Sequence, residues 1–191
     1  MRAAFKEWAI IVDALKTGEQ IIILRKGGIS EGGGGFKVEH PAFWLFPTLF
    51  HQQRESVIPA ARKRFDEISA GFPPPGIVRL ETFAQVVSVH HLRTLAQAQQ
   101  LRGQHIWKDE VIAERFEWGR NHSIYALAVR VFRVPKALEL PMRKEYGGCK
   151  SWVELPAGLS DRDAEQVLSA EHFATKLHQF QASLDRPPAA P

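Results

Sequence analysis

Residues 19–51, EQIIILRKGGISEGGGGFKVEHPAFWLFPTLFH, place two strongly apolar runs on either side of a basic, glycine-laden loop. Ile21-Ile22-Ile23-Leu24 is a run of branched aliphatics that suits burial on both faces of a sheet, so residues 20–25 are predicted as a strand. The strand leads into Arg25-Lys26-Gly27-Gly28. Six of the nine residues 27–35 are glycine, too few side chains to hold one conformation unaided, and the loop is predicted to be a mobile flap until a ligand meets it. Residues 36–39 and 43–46 are predicted as two strands or one strand broken at His40-Pro41, because proline has no amide N–H to give a ladder. Pro47-Thr48 is predicted to stop the second run.

On the N-terminal side, Phe5, Trp8, Ala9, Val12 and Leu15 fall at i, i+3, i+4, i+7 spacing, which predicts an amphipathic helix over residues 3–16 ended by Thr17-Gly18. On the C-terminal side, residues 54–69 are predicted as a helix with Pro59 near its first turn and Ala61, Phe65 and Ile68 inward. Gly71-Phe72-Pro73-Pro74-Pro75-Gly76 is the clearest punctuation in the chain. It is read as a rigid connector within a single domain, residues 1–184, with a division into two halves at 1–70 and 77–184 as the alternative. Residues 77–90 are predicted as a strand, 92–101 as a helix, and Asp109 as the N-cap of a short helix carrying Val111, Ile112 and Phe116. Residues 118–121 read as a turn. Residues 123–134 alternate Tyr125, Leu127, Val129, Val131 against Ala126, Ala128, Arg130, Phe132, a strand pattern that Pro135 is predicted to end. Residues 139–155 read as a loop. Ser160 with Asp163 resembles a capping box and predicts a helix running to about residue 184; residues 185–191 are predicted to be a disordered tail.

The chain has 191 residues, 45% hydrophobic and 24% charged, ordinary globular values that permit a real core. No run approaches the roughly 18 uncharged apolar residues of a membrane helix, and MRAAFKEWA carries a glutamate where a signal peptide needs its apolar core. A cytoplasmic protein with no membrane partner is expected. The single cysteine, Cys149, excludes an internal disulfide and a CxxC metal clip. A formal charge of +4 and a pI near 9.4 favour polyanions at low salt without singling them out.

Several chemistries can be weighed on spacing. The glycines lead into Phe36-Lys37-Val38 and lack the Lys-Ser/Thr or Gly-x-Gly-x-x-Gly patterns that cradle phosphates, so no nucleotide cofactor is expected. None of the 21 acidic residues is followed two positions later by lysine, the order used by restriction-type nucleases; the reversed order occurs at Lys37-Val38-Glu39. A divergent metal-dependent nuclease would draw on Glu39, Asp109 and Glu110. The eight histidines include His90-His91, His172 and His178 but form no HExxH helix, and no metal site is expected. Cys149 follows two glycines whose amides could favour a thiolate and an oxyanion, the basis of a thiol-hydrolase reading; a small buried thiol in a tight turn is the plainer alternative. Basic residues beside aromatics occur in three places: Arg25-Lys26 with the glycine loop, Arg115 through Trp118, and Lys144 through Lys150-Ser151-Trp152. Such segments meet phosphates and stack unpaired bases, although tryptophans near turns also plug core rims.

Leu24-Arg25-Lys26-Gly27-Gly28-Ile29, Phe46-Pro47-Thr48 with His51-Gln52, His105-Ile106-Trp107, Arg115-Phe116, and Tyr146-Gly147-Gly148-Cys149-Lys150-Ser151-Trp152-Val153-Glu154-Leu155 together resemble an uncharacterised bacterial family, domain of unknown function 1802, over residues 4–155. That family implies no catalytic residues. Gly18-Glu19-Gln20 after a helix, with a strand ending in Leu24-Arg25, is also similar to the opening of ASCH-type domains, and residues 83–89 and 125–138 to the closing strands of that PUA-like class. The resemblance implies RNA or modified nucleic acid as the ligand. Ile23 stands where those domains carry a glutamate two before the arginine.

The fold expectation is α+β: a strongly bent, mostly antiparallel sheet or small PUA-like β-barrel with peripheral helices. The functional expectation is binding of RNA or single-stranded DNA through Arg25, Lys26, His51, Arg115, Trp118, Lys150 and Trp152. The alternatives are a nuclease or thiol hydrolase, with Glu39 or Cys149 as catalytic candidates, and a protein-interaction module whose glycine loop orders on its partner.

Overall fold

The computed structural model describes residues 1–26, 40–119 and 121–186. The glycine-rich flap, the strand predicted over 36–39 with Glu39, Arg120 and the end of the tail lie outside the described residues. The chain runs β1 (Ala3–Trp8), α1 (Ala9–Lys16), β2 (Ile22–Arg25), β3 (Ala42–Thr48), α2 (Pro59–Ala70), β4 (Ile77–Leu92), α3 (Leu95–Gln99), α4 (Asp109–Glu117), β5 (Ile124–Pro141), β6 (Trp152–Glu154), β7 (Glu165–Gln166) and α5 (Ala170–Leu184). The strands lie in the order β2-β5-β4-β3-β1-β6, with β7 also on β5. Among the described strands only β1 and β3 run parallel; every other described pairing is antiparallel. The sheet is mixed, mostly antiparallel and curled into a half-barrel flanked by helices, as the sequence predicted.

Both faces of the sheet are covered along β3. On β3, Phe43 and Leu45 enter the main core with the helices, while Trp44 and Phe46 enter a second cluster with Val78, Leu80 and Phe83. Strand side chains alternate between faces, so a continuous apolar run can fill both. The same rule explains Ile21 through Leu24, all buried.

Several boundaries differ from expectation for identifiable reasons. Residues 3–16 are a strand followed by a helix: Ala4 packs in one cluster and Phe5 in the other, an alternation that a helix face cannot produce. β3 runs through Pro47 to Thr48; β4 pairs with it only over residues 42–44, so the proline interrupts no β4 ladder. Residues 51–56 form a 3-10 turn, and α2 begins later, with Pro59 at its first turn. Thr94, with Gln97, caps the short α3, whereas Lys108 occupies the N-cap of α4 and Asp109 lies inside its first turn. β5 continues past Pro135. Leu80 pairs with Leu138 and Thr82 with Arg133, so residues 134–137 oppose Glu81 alone, and this bulge accommodates a residue without an N–H. The region 139–155 carries the end of β5, a 3-10 turn (Lys144–Tyr146) and β6. Ser160 accepts only the local Arg162 N–H, and Asp163 takes φ 59°, which no helix allows; the last helix is capped instead by Ser169, whose side chain accepts from His172 N. Strands from before and after residues 71–76 share the one sheet.

Candidate functional site

β2 ends one side of the sheet and β6 the other, yet the curl brings them together. Arg25, the last residue of β2, donates from Nη2 to Ser151 Oγ at 2.8 Å, just ahead of β6. Its guanidinium carbon stands 4.7 Å from the Phe5 ring centroid, and its Nη1 is 3.9 Å from Glu7 Oε2. Phe5 and Glu7 share one face of β1, as residues two apart on a strand do. One arginine thus spans the seam between the two edges.

Glu7 is 1% exposed. Its Oε1 accepts the Trp8 backbone N–H at 2.7 Å, whereas Oε2 has no hydrogen-bond partner among the described residues. A second guanidinium approaches from α4. Arg115 lies 3.8 Å from the Trp107 ring centroid and 4.9 Å from that of Trp8, and its Nη1 reaches the Leu24 carbonyl at 3.5 Å. Ile112 and Phe116, one turn apart, fix the buried face of α4, and Arg115 projects beside Phe116. Burial pushes the Arg115 guanidinium down to about 10; Glu7 opposes that shift and Arg25 adds to it. Two cations around one carboxylate leave a net positive charge in an aromatic setting, which suits an anionic ligand with planar groups.

Trp152 is half-buried at the rim, edge-on to Phe5 at 4.8 Å and Phe43 at 5.0 Å, with His40 at 5.2 Å. It also lines an adjoining cleft of about 330 Å³ with Arg2, Arg143, Glu145, Lys150 and Glu154. Arg2 is paired with Glu154 at 2.9 Å. Lys6 straps the turn that separates seam and cleft, its Nζ donating to the Tyr146 and Gly148 carbonyls at 3.0 and 2.7 Å; burial lowers its pKa.

The structure therefore brings Arg25, Arg115 and Trp152 to one place, with exposed Cys149 and Lys150 on the adjoining turn. Lys26 is engaged elsewhere: its Nζ donates to the Phe116 carbonyl in the last turn of α4 at 2.7 Å and to that of Asn121 in the turn beyond it, which puts a cation at the helix C-terminus. Burial lowers its pKa against the pull of Glu117. Trp118 follows α4 and is 54% exposed. His51 is exposed at the start of its 3-10 turn, with no hydrogen bond, ion pair or ring contact to the cluster among the described residues. Asp109 pairs with Arg102 at 2.5 Å and Glu110 is exposed; among the described residues no group of three His, Cys, Asp or Glu could hold a metal ion. The central carboxylate, Glu7, was missed because a helix over 3–16 sets it on the polar side; reading Phe5 and Glu7 as alternate strand positions finds it.

No described helix is long and apolar enough to cross a membrane. A comparison with curated proteins yields no match. Two solved structures of an ASCH protein from Zymomonas mobilis, one of them a point variant, align at 12% identity over 92% of this chain; they cover 92% and 93% of their own chains, with TM-scores of 0.46 and 0.47. The sequence profile of the family described as Domain of unknown function (DUF1802) matches residues 4–179, beyond the span of the motifs.

Proposed function

We propose that this chain, which belongs to the domain of unknown function family DUF1802, binds single-stranded nucleic acid, RNA or DNA, across the seam of its sheet. The observation that carries the reading is the Arg25–Glu7–Arg115 cluster set among aromatic rings, with Trp152 packed on Phe5 and lining a neighbouring cleft that holds Arg143 and Lys150. Guanidinium and ammonium groups there meet phosphates, and Trp152 offers a face for an unpaired base. Exposed Trp118 offers a second. Lys26 serves α4 in this reading and is not a phosphate ligand, because both of its observed contacts are backbone carbonyls. The reading takes residues 1–184 as one domain, since β2 pairs with β5 and β3 with β4 across the 71–76 connector. It places the protein in the cytoplasm, in contact with cellular RNA. The nuclease and thiol-hydrolase alternatives gain no such support among the described residues.

Fluorescence anisotropy with labelled RNA and DNA oligomers at low and raised salt tests it. Binding is expected to weaken linearly in log–log form, by about 0.7 per phosphate neutralised. Arg143→Ala and Lys150→Ala are each expected to flatten that slope by about one contact's share. Absence of binding to either nucleic acid at low salt defeats the proposal.

A further inference from the structure

The seam contains unfilled hydrogen-bonding atoms of both signs. Glu7 Oε2 is an acceptor on a side chain 1% exposed; Arg25 Nε and Trp152 Nε1 are donors; none has a partner among the described residues. Buried polar atoms are almost always paired, so three such atoms in one place point to a ligand that carries complementary groups. The 3.9 Å separation of Arg25 Nη1 from Glu7 Oε2 sets a donor beside an acceptor without joining them. Oε1 retains a second lone pair beyond the one used by the Trp8 amide.

The four bases present different edges to that arrangement. Adenine and cytosine offer a carboxylate one amino group beside a ring-nitrogen lone pair, which repels it. Uracil offers one N–H between two carbonyl oxygens. Guanine alone offers adjacent N1–H and N2–H donors, with the O6 acceptor next to them.

We infer that Glu7 and Arg25 select guanine within a bound single strand: the Glu7 carboxylate accepts from N1–H and N2–H, Arg25 donates to O6, and the base lies against Trp152. The inference rests on the nucleic-acid-binding reading and names the base that the same site takes. Arg115 acts here as a positioning residue, its guanidinium stacked on Trp107 and Trp8 close enough to interact with the Glu7 carboxylate.

The test uses the whole chain and short labelled oligouridines carrying one central guanosine, inosine, adenosine or cytidine. The guanosine oligomer is expected to bind about tenfold more tightly than the oligouridine, adenosine and cytidine oligomers. Inosine keeps N1–H and O6 but lacks the N2 amino group, and is expected to lose a large part of that advantage. Glu7→Gln replaces one acceptor oxygen with a donor; it is expected to bring all the oligomers within about twofold of one another. Circular dichroism establishes that the variant is folded, and the inosine comparison decides the matter on the natural chain if it is not. Equal binding of all the oligomers, a preference for another base, or equal binding of inosine and guanosine overturns guanine selection and leaves general binding standing. Failure of every oligomer to bind at low salt overturns the binding reading itself.

Discussion

His105 is buried two residues before Trp107, and its Nδ1 accepts the Trp107 backbone N–H at 3.2 Å. That bond requires an unprotonated Nδ1, and burial pushes the ring's pKa down to about 4; Arg115 and Arg102 act in the same direction and Asp109 against it. The ordinary value in the unfolded chain is 6.5. Between the two values the unfolded chain takes up a proton that the folded chain refuses. The stabilisation is therefore complete above pH 6.5 and falls as the pH drops towards 4, by roughly 3 kcal/mol in total. Urea denaturation at neutral and mildly acid pH is expected to show this loss in the natural chain, with a smaller loss in His105→Gln, whose amide oxygen can still accept the Trp107 N–H. Identical losses in the two proteins would remove His105 as the cause. The sequence offered His105 only as part of a motif with Ile106 and Trp107, because burial of a lone histidine has no local signature. Glu7 was hidden for the same reason: a buried carboxylate is recognisable only from the cations that surround it.

Gly18 shows how far a single position can mark the end of an element. It stands just past α1 with φ 72°, where an L side chain is strained, and a Cβ there would lie 2.6 Å from Leu168 Cδ2. The Leu168 side chain can shift, so backbone strain dominates, and Gly18→Ala is expected to cost about 1–2 kcal/mol. A thermal melt checks this, and an unchanged midpoint would show that the turn relaxes at no cost. This helix end was legible because glycine after an apolar periodic run has one common use. The long strands β4 and β5 were legible through alternation and β-branched content, and β2 through its aliphatic run. β1 was not, because six strand residues followed directly by a helix leave Phe5, Trp8, Ala9 and Val12 at helical spacing. Pro135 misled in the opposite direction: a proline stops a regular strand but not one with a bulge at that place, and the bulge depends on Leu80 and Thr82, more than fifty residues away.

Closure of the curled sheet depends on side chains and not on a ladder. The edge strands β2 and β6 are not paired with each other. They are joined through Arg25, which binds Ser151 and lies over Phe5 of β1, a strand that pairs with β6. A contact between residues 126 positions apart, and a parallel β1–β3 pairing with no hairpin to announce it, leave no pattern in the sequence. The bent sheet could be predicted, but the meeting of its edges could not. Arg25→Ala removes a hydrogen bond from a charged donor, worth about 1.5 kcal/mol, or roughly tenfold in a local opening equilibrium. Native-state amide exchange is expected to accelerate by about that factor in β2 and β6 together, while the centre of the β4–β5 pair, held by its own ladder, keeps its protection. Faster exchange in β2 alone would mean that Arg25 serves only its own strand. Joint acceleration of the two edges would identify the seam as the least stable part of the sheet, and a ligand gripped by Arg25 and Glu7 would then restore protection to both.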